Sequence, residues 1–177
     1  RSMRPVRPPT IGLVGGIGSG KSAVAAAWRE AGCCVCDSDQ LGRQALEDPA
    51  VRETLIGWWG RGIVGADGHV DRGAIASIVF GDPAERRRLE SLTHPWIERT
   101  RRVAFAAAPA STPAFVIDAP LLLEVGLDRE CDAIVFVDAP RVERLRRVRE
   151  RRGWDEGELE RRENAQWSLD RKRAKAS

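Results

Sequence analysis

A chain of 177 residues can bury one sizeable core and falls in the range of a single domain. With 42% hydrophobic and 31% charged residues, 17 Gly and 10 Pro, its composition excludes collagen-like and wholly disordered chains. The net charge of +3 is modest, no apolar run approaches the ~18 residues that a membrane span requires, and Arg1-Ser2-Met3-Arg4-Pro5 lacks the apolar core of a signal peptide. A soluble, cytoplasmic protein is therefore expected.

Apolar runs bounded by turn residues predict four short strands, at 10–14, 33–37, 114–118 and 133–138. The first is followed by an Ala-rich helical stretch at 20–31, with Gly32 placed to end it in a left-handed cap. The second holds Cys33, Cys34 and Cys36. Their C-x-x-C spacing could mark a redox pair or half a zinc site, but Cys131, His69 and His94 are scattered singly, and buried strand thiols are the reading preferred. Residues 40–108 exceed what a crossover between parallel strands needs and carry their own helical patterns, which predicts an inserted helical subdomain. Within it, Asp82, Pro83 and Glu85 supply a cap, a first-turn proline and a capping box. Pro95 is expected to kink or break the helix that opens there. Residues 106–113 read as a surface loop.

After the last strand, seven arginines fall within Arg141–Arg152. Val142, Leu145 and Val148 give this predicted helix a packing face. The arginines are then either a solvated face or a seat for the phosphates of a small ligand. No aromatic pattern interleaves them, so nucleic acid is not the expected partner. Gly153 and Gly157 interrupt the charged tail at a candidate hinge, making a lid of residues 141–177. Strands alternating with helices imply an α/β fold, three-layered around a parallel sheet. Its core would be 10–39 and 114–140.

The sharpest chemical signal is Gly15-Gly16-Ile17-Gly18-Ser19-Gly20-Lys21-Ser22. It matches G-x-x-x-x-G-K-[ST] between a predicted strand and a predicted helix, the context in which this motif cradles a nucleotide polyphosphate. Glycines let backbone N–H groups curl around the phosphates, and the helix N-terminus adds a favourable dipole. Lys21 would reach the outer phosphates and the Ser22 hydroxyl would ligate Mg2+. Gly16, Ile17, Gly18, Ser19, Gly20, Lys21, Ser22 and Ala23 are accordingly the candidate nucleotide-binding residues. An Asn-Lys-x-Asp guanine-reading motif is absent from the sequence, so ATP is the expected nucleotide.

Two carboxylates stand at predicted strand ends. Asp39 can act as general base from the carboxyl end of the second strand, or it caps the following helix. Asp118, ending the third strand, can hold Mg2+, or it caps the turn before Pro120. Asp37 supports the fold or a metal-bound water. Arg147 and Arg151, four apart on one side of the Arg-rich helix, are candidates to meet ATP phosphates. Trp58, Trp59, Trp96, Trp154 and Trp167 read as packing residues.

Several ordered segments together resemble the dephospho-coenzyme A kinase family. They are the doubled glycine and Gly-Ser-Gly-Lys-Ser of residues 15–22, Asp37-Ser38-Asp39 with Arg43, Asp67-Gly68-His69-Val70-Asp71-Arg72 with Val79-Phe80, Leu89-Glu90 with His94-Pro95, Asp118-Ala119-Pro120-Leu121-Leu122-Leu123-Glu124, and Arg147, Arg151, Arg162 and Gln166. The resemblance implies transfer of the ATP γ-phosphate, with Mg2+, to the 3′-hydroxyl of dephospho-coenzyme A. It implies Asp39 as base, Lys21, Arg147 and Arg151 as the charges on the moving phosphoryl group, and Asp39, Arg43, His94, Asp118, Pro120 and Leu121 on the substrate side. Ala23 stands where the family commonly has a threonine, and the chain ends before the family's last strand and its asparagine near the adenine. Another small-molecule P-loop kinase, or a nucleotide-dependent switch without catalysis, remains as an alternative.

Overall fold

The computed structural model describes residues 7–176; the segment 1–5 weighed for a signal peptide lies outside them. The chain divides into two compact units, one formed by the segments up to Asp37 and from Ala107 onward, the other by Ser38–Ala106.

The first unit is α/β. Its strands are β1 (Thr10–Gly15), β2 (Cys34–Asp37), β3 (Phe115–Asp118) and β4 (Ala133–Val137). They form one parallel sheet in the order β2-β3-β1-β4. The neighbours β1 and β3 send their connections in opposite directions along the sheet, β1 to β2 and β3 to β4. That arrangement makes the carboxyl ends of β1 and β3 a switch point, where α/β sheets open a crevice. Leu13, Val14, Val116 and Ile117 are at most 1% exposed, as expected of central strands covered on both faces.

Helix α1 (Lys21–Glu30) joins β1 to β2 and packs Ala25, Val24 and Trp28 on Leu13 and Val116. Gly32, at φ 90°, ends it as expected. Gly32 N–H donates to Arg29 O and Cys33 N–H to Trp28 O, the paired bonds of a Schellman turn. Of the cysteines, Cys36 is buried in β2 and Cys33, Cys34 and Cys131 are half-buried; all four are thiols. Burial pushes the Cys34 thiol above its ordinary value.

The second unit holds α2 (Ser38–Glu47), α3 (Pro49–Trp59), a 3-10 turn (Arg61–Ile63), α4 (Arg72–Gly81) and α5 (Pro83–Ala107). Val51, Leu55, Ile63, Val70 and Ile75 form its core, with Leu89, Leu92 and Trp96 of α5 packed against them. Asp48 caps α3 through Ala50 and Val51 N–H and also accepts from the Trp96 indole at 2.9 Å. The Trp96 bond, first among several causes, holds the Asp48 carboxyl below its usual range.

Of the kink or break expected at Pro95, the break does not occur, and the role expected of Glu85 changes. Helix α5 runs unbroken through Pro95. A proline inside a helix costs roughly 3 kcal/mol, and apolar side chains on both sides of it, Leu89, Leu92 and Trp96, are held by the unit's core. Asp82 caps α5 through Ala84 and Glu85 N–H as expected, but the Glu85 carboxylate accepts from the Trp59 indole of α3. Glu85 thus ties α5 to α3, a role its capping-box spacing does not reveal.

The first unit closes with a 3-10 turn (Leu127–Glu130), α6 (Arg141–Arg152), α7 (Glu156–Glu163) and α8 (Leu169–Arg173). Among the described residues no helix is long and apolar enough to cross a membrane.

Candidate active site

The phosphate loop runs from the end of β1 into α1. Gly20, at φ 97°, occupies the cap of α1, where no side chain supplies a capping bond, and the first turn carries no acidic residue. Ala23 N–H turns back to Gly20 O at 2.9 Å, and the amides that precede it in the first turn are the ones suited to an anion. Gly18 is at φ 76°, and a Cβ there would stand 2.8 Å from the Arg144 carbonyl oxygen. The loop is pressed against α6 so closely that only glycine fits. Ser19 is 5% exposed, and among the described residues its hydroxyl has no hydrogen-bond partner. Ser22 and Ala23, on the first turn of α1, are exposed.

β3 is registered so that Asp118 pairs with Leu13 of β1 and with Asp37 of β2. Its carboxylate is almost fully buried and forms an ion pair with the Lys21 ammonium. The structure thus brings together the loop lysine and the strand-end carboxylate expected from spacing. Beyond Asp118, the Pro120 carbonyl accepts from Lys172 Nζ at 3.0 Å, while Leu121 is 41% exposed.

Helix α6 closes the other side of the loop. Arg147 Nη1 donates to Gly18 O at 3.1 Å and to Ser19 O at 3.0 Å. Arg151, one turn further on, is exposed. The expected packing face is corrected: Val148 is buried, but Val142 is 72% exposed and Arg144 only 5% exposed. Arg144 donates from Nε to Ala139 O at 3.2 Å and pairs with Glu163 of α7. Glu163 also pairs with Arg141 at 2.9 Å. Sequence reasoning missed Arg144, because nothing in an Arg-rich run marks one guanidinium as buried. Its i, i+4 relation to Val148 was the available signal.

At the α6–α7 turn, the guanidinium groups of Arg152 and Arg162 both stack on the Trp154 ring, 4.6 and 4.3 Å from its centroid. Glu158 accepts from Arg161 and Arg162, which push its carboxyl down to about 2.

The remaining predicted residues belong to the second unit. Asp39 lies in the first turn of α2, which begins at Ser38, so it is not the residue preceding the helix that its capping alternative supposed. Arg43 is four residues on, hence on the same helix face, and borders an open depression of about 510 Å³ with Gln40, Gln44, Glu47 and Asp48. His94 is exposed on α5.

Residues 9–177 match the family model described as dephospho-CoA kinase. The chain belongs to the dephospho-CoA kinase family. Among its relatives, the dephospho-CoA kinase of Anaeromyxobacter dehalogenans is 42% identical over 94% of this chain and 80% of its own length. That of Geobacter metallireducens is 42% identical over 92% and 82%. Of solved structures, TT1252 from Thermus thermophilus superposes with a TM-score of 0.86 at 37% identity, covering 97% of this chain and 86% of that one. The dephospho-CoA kinase from Campylobacter jejuni shares the fold, with a TM-score of 0.68 at 20% identity over 95% and 85% of the two chains. Dephospho-CoA kinases are ATP-dependent phosphotransferases, and the strand, glycine loop and helix of residues 10–30 are the part of this fold suited to the polyphosphate.

Proposed function

We propose that this chain transfers the γ-phosphoryl group of ATP to the 3′-hydroxyl of dephospho-coenzyme A, giving ADP and coenzyme A in the cytoplasm. The observation that carries the reading is the phosphate loop with Lys21 seated on Asp118, in a chain matched to the family from residue 9 to 177. The loop residues Gly16–Ala23 bind the phosphates, and Lys21 moves from Asp118 to their outer oxygens. Arg147, already held on the loop carbonyls, adds its charge beside them, and Arg151 approaches when the α6–α7 tip closes over the site. Because phosphoryl transfer is mainly positioning and charge stabilisation, these groups supply most of the catalysis.

Asp39 accepts the proton of the attacking hydroxyl, and Arg43, on the same face of α2, pairs with an anionic group of the acceptor. His94, Pro120 and Leu121 complete the substrate side. Ser22 and Asp118 fit Mg2+: both offer hard oxygen atoms, and Asp118 already neutralises a cation where it stands. When bound there, the ion neutralises charge on the phosphates. Residues 40–108 serve as the acceptor-binding insertion, and within 141–177 the α6–α7 tip serves as the lid while Lys172 keeps α8 on Pro120 O.

The test is ADP release from the purified protein with magnesium-ATP, with and without dephospho-coenzyme A, for wild type and Asp39→Asn. Release that needs the acceptor and collapses in the variant is the expected result. Acceptor-independent ATP loss, or none in the presence of bound ATP, would remove the reading.

A further inference from the structure

The largest fully buried side chain among the described residues is a lysine. Lys172 of α8 is 1% exposed, and an ammonium is tolerated so deep only when its donors are matched. Here three acceptors meet it: Pro120 O at 3.0 Å, Gln166 Oε1 at 2.9 Å and Glu124 Oε1 at 3.1 Å. Glu124 Oε1 also accepts from Trp167 N–H at 2.9 Å, so the carboxylate and the ammonium tie the segment entering α8 to the segment leaving β3. An apolar side chain could fill the same volume. What it could not do is hold a carbonyl and a carboxylate in fixed directions.

The held segment matters because of its neighbours. Pro120 is two residues beyond Asp118, whose carboxylate meets Lys21. The first residue of α8, three positions before Lys172 and on the same helix face, reaches the phosphate loop directly: a Cβ on Gly16 would lie 3.0 Å from Leu169 Cδ2. One short helix therefore touches both the loop and the carboxylate-bearing segment that faces it.

We propose that Lys172 is a positioning residue for phosphoryl transfer, its ammonium setting the Asp118–Leu121 segment against the phosphate loop through Pro120 O and Glu124. The inference rests on the kinase reading above. Lys172 touches neither nucleotide nor acceptor; it fixes where Asp118 stands. Its loss lowers turnover more than it lowers nucleotide affinity, since the loop amides that bind phosphates are carried by β1 and α1.

The test compares full chains of wild type, Lys172→Met and Gln166→Met by thermal melting, direct ATP binding and steady-state kinetics with dephospho-coenzyme A. For Lys172→Met the expected result is a cooperative melt, an ATP Kd within about threefold of wild type, and kcat lower by about 10- to 100-fold, the penalty of a misplaced group. Gln166→Met removes one neutral acceptor and leaves the Glu124 pair, so it folds even if Lys172→Met does not, and its kcat falls by about threefold or more at unchanged ATP affinity. Wild-type kcat in either folded variant overturns the proposal. So does a loss of kcat matched by an equal loss of ATP binding and melting temperature, which would mean a scaffold role only. Normal wild-type turnover with normal variants sinks this inference alone, whereas a wild type without acceptor-dependent ADP release sinks the kinase reading and this inference with it.

Discussion

Lys21 and Asp118 neutralise one another at the switch point of the sheet, and that pairing sets what each substitution does. Replacing Lys21 by Met removes the charge meant for the outer phosphates and leaves a nearly buried carboxylate without its cation. Acceptor-dependent turnover should fall by about a thousandfold, in line with the loss of a strong electrostatic stabiliser; steady-state assay of Lys21→Met checks this, and a loss under tenfold would contradict the role. Asp48 offers a pH test that is read from stability and not from turnover. Its carboxyl titrates below its usual range because the Trp96 indole, foremost, and the α3 amides bond the ionised form. A depressed folded value means that the stabilisation is complete above the unfolded carboxylate value of about 3.9 and fades as pH drops through the folded one. Wild type should therefore melt above Asp48→Asn at neutral pH, with the gap closing below about pH 4. A pH-independent gap in melting curves would show that the charge does not matter there.

The strands were legible because parallel strands covered on both faces read as short apolar runs between turn residues, and all four lie within a residue or two of their expected bounds. The glycine loop was legible for a related reason: its residues are dictated by local backbone geometry, visible in a single stretch. What stayed hidden depends on distant partners. The unbroken course of α5 through Pro95 is decided by packing from α3 and its neighbours, and the inward turn of Arg144 by Glu163, nineteen positions away. That Arg144–Glu163 pair bolts the base of α6 to α7 and to the phosphate loop. Glu163→Gln leaves a buried guanidinium without its carboxylate and should destabilise by about 3 kcal/mol, read as a lower midpoint in denaturant. Gly18→Ala tests the same junction from the loop side. At φ 76° and 2.8 Å from the Arg144 carbonyl, a methyl group both strains the backbone, by roughly 1–2 kcal/mol, and pushes the loop off α6. ATP affinity should fall while the melting temperature drops only a little, and unchanged binding by calorimetry would show that the loop relaxes freely.

Two compact units divide the proposed labour. The nucleotide residues Gly16–Ala23, Asp118 and Arg147 all lie in the α/β unit, whereas Asp39, Arg43 and His94 all lie in the helical one. Among the described residues no hydrogen bond or ion pair joins Arg43 to Lys21 or to Asp118. Substitutions that act through separate partners combine additively to within about 0.5 kcal/mol. Under the proposed assignment, Arg43→Ala raises the KM for dephospho-coenzyme A by about tenfold, the scale of one charge-assisted contact, and leaves the ATP Kd unchanged. Arg147→Ala does the converse, weakening ATP and sparing the acceptor KM. The double variant then loses the product of the two factors in kcat/KM. If the loss departs from that product by more than about tenfold, equivalent to about 1.4 kcal/mol of coupling, the two units do not act as separate binding halves, and closure of one must depend on the ligand of the other.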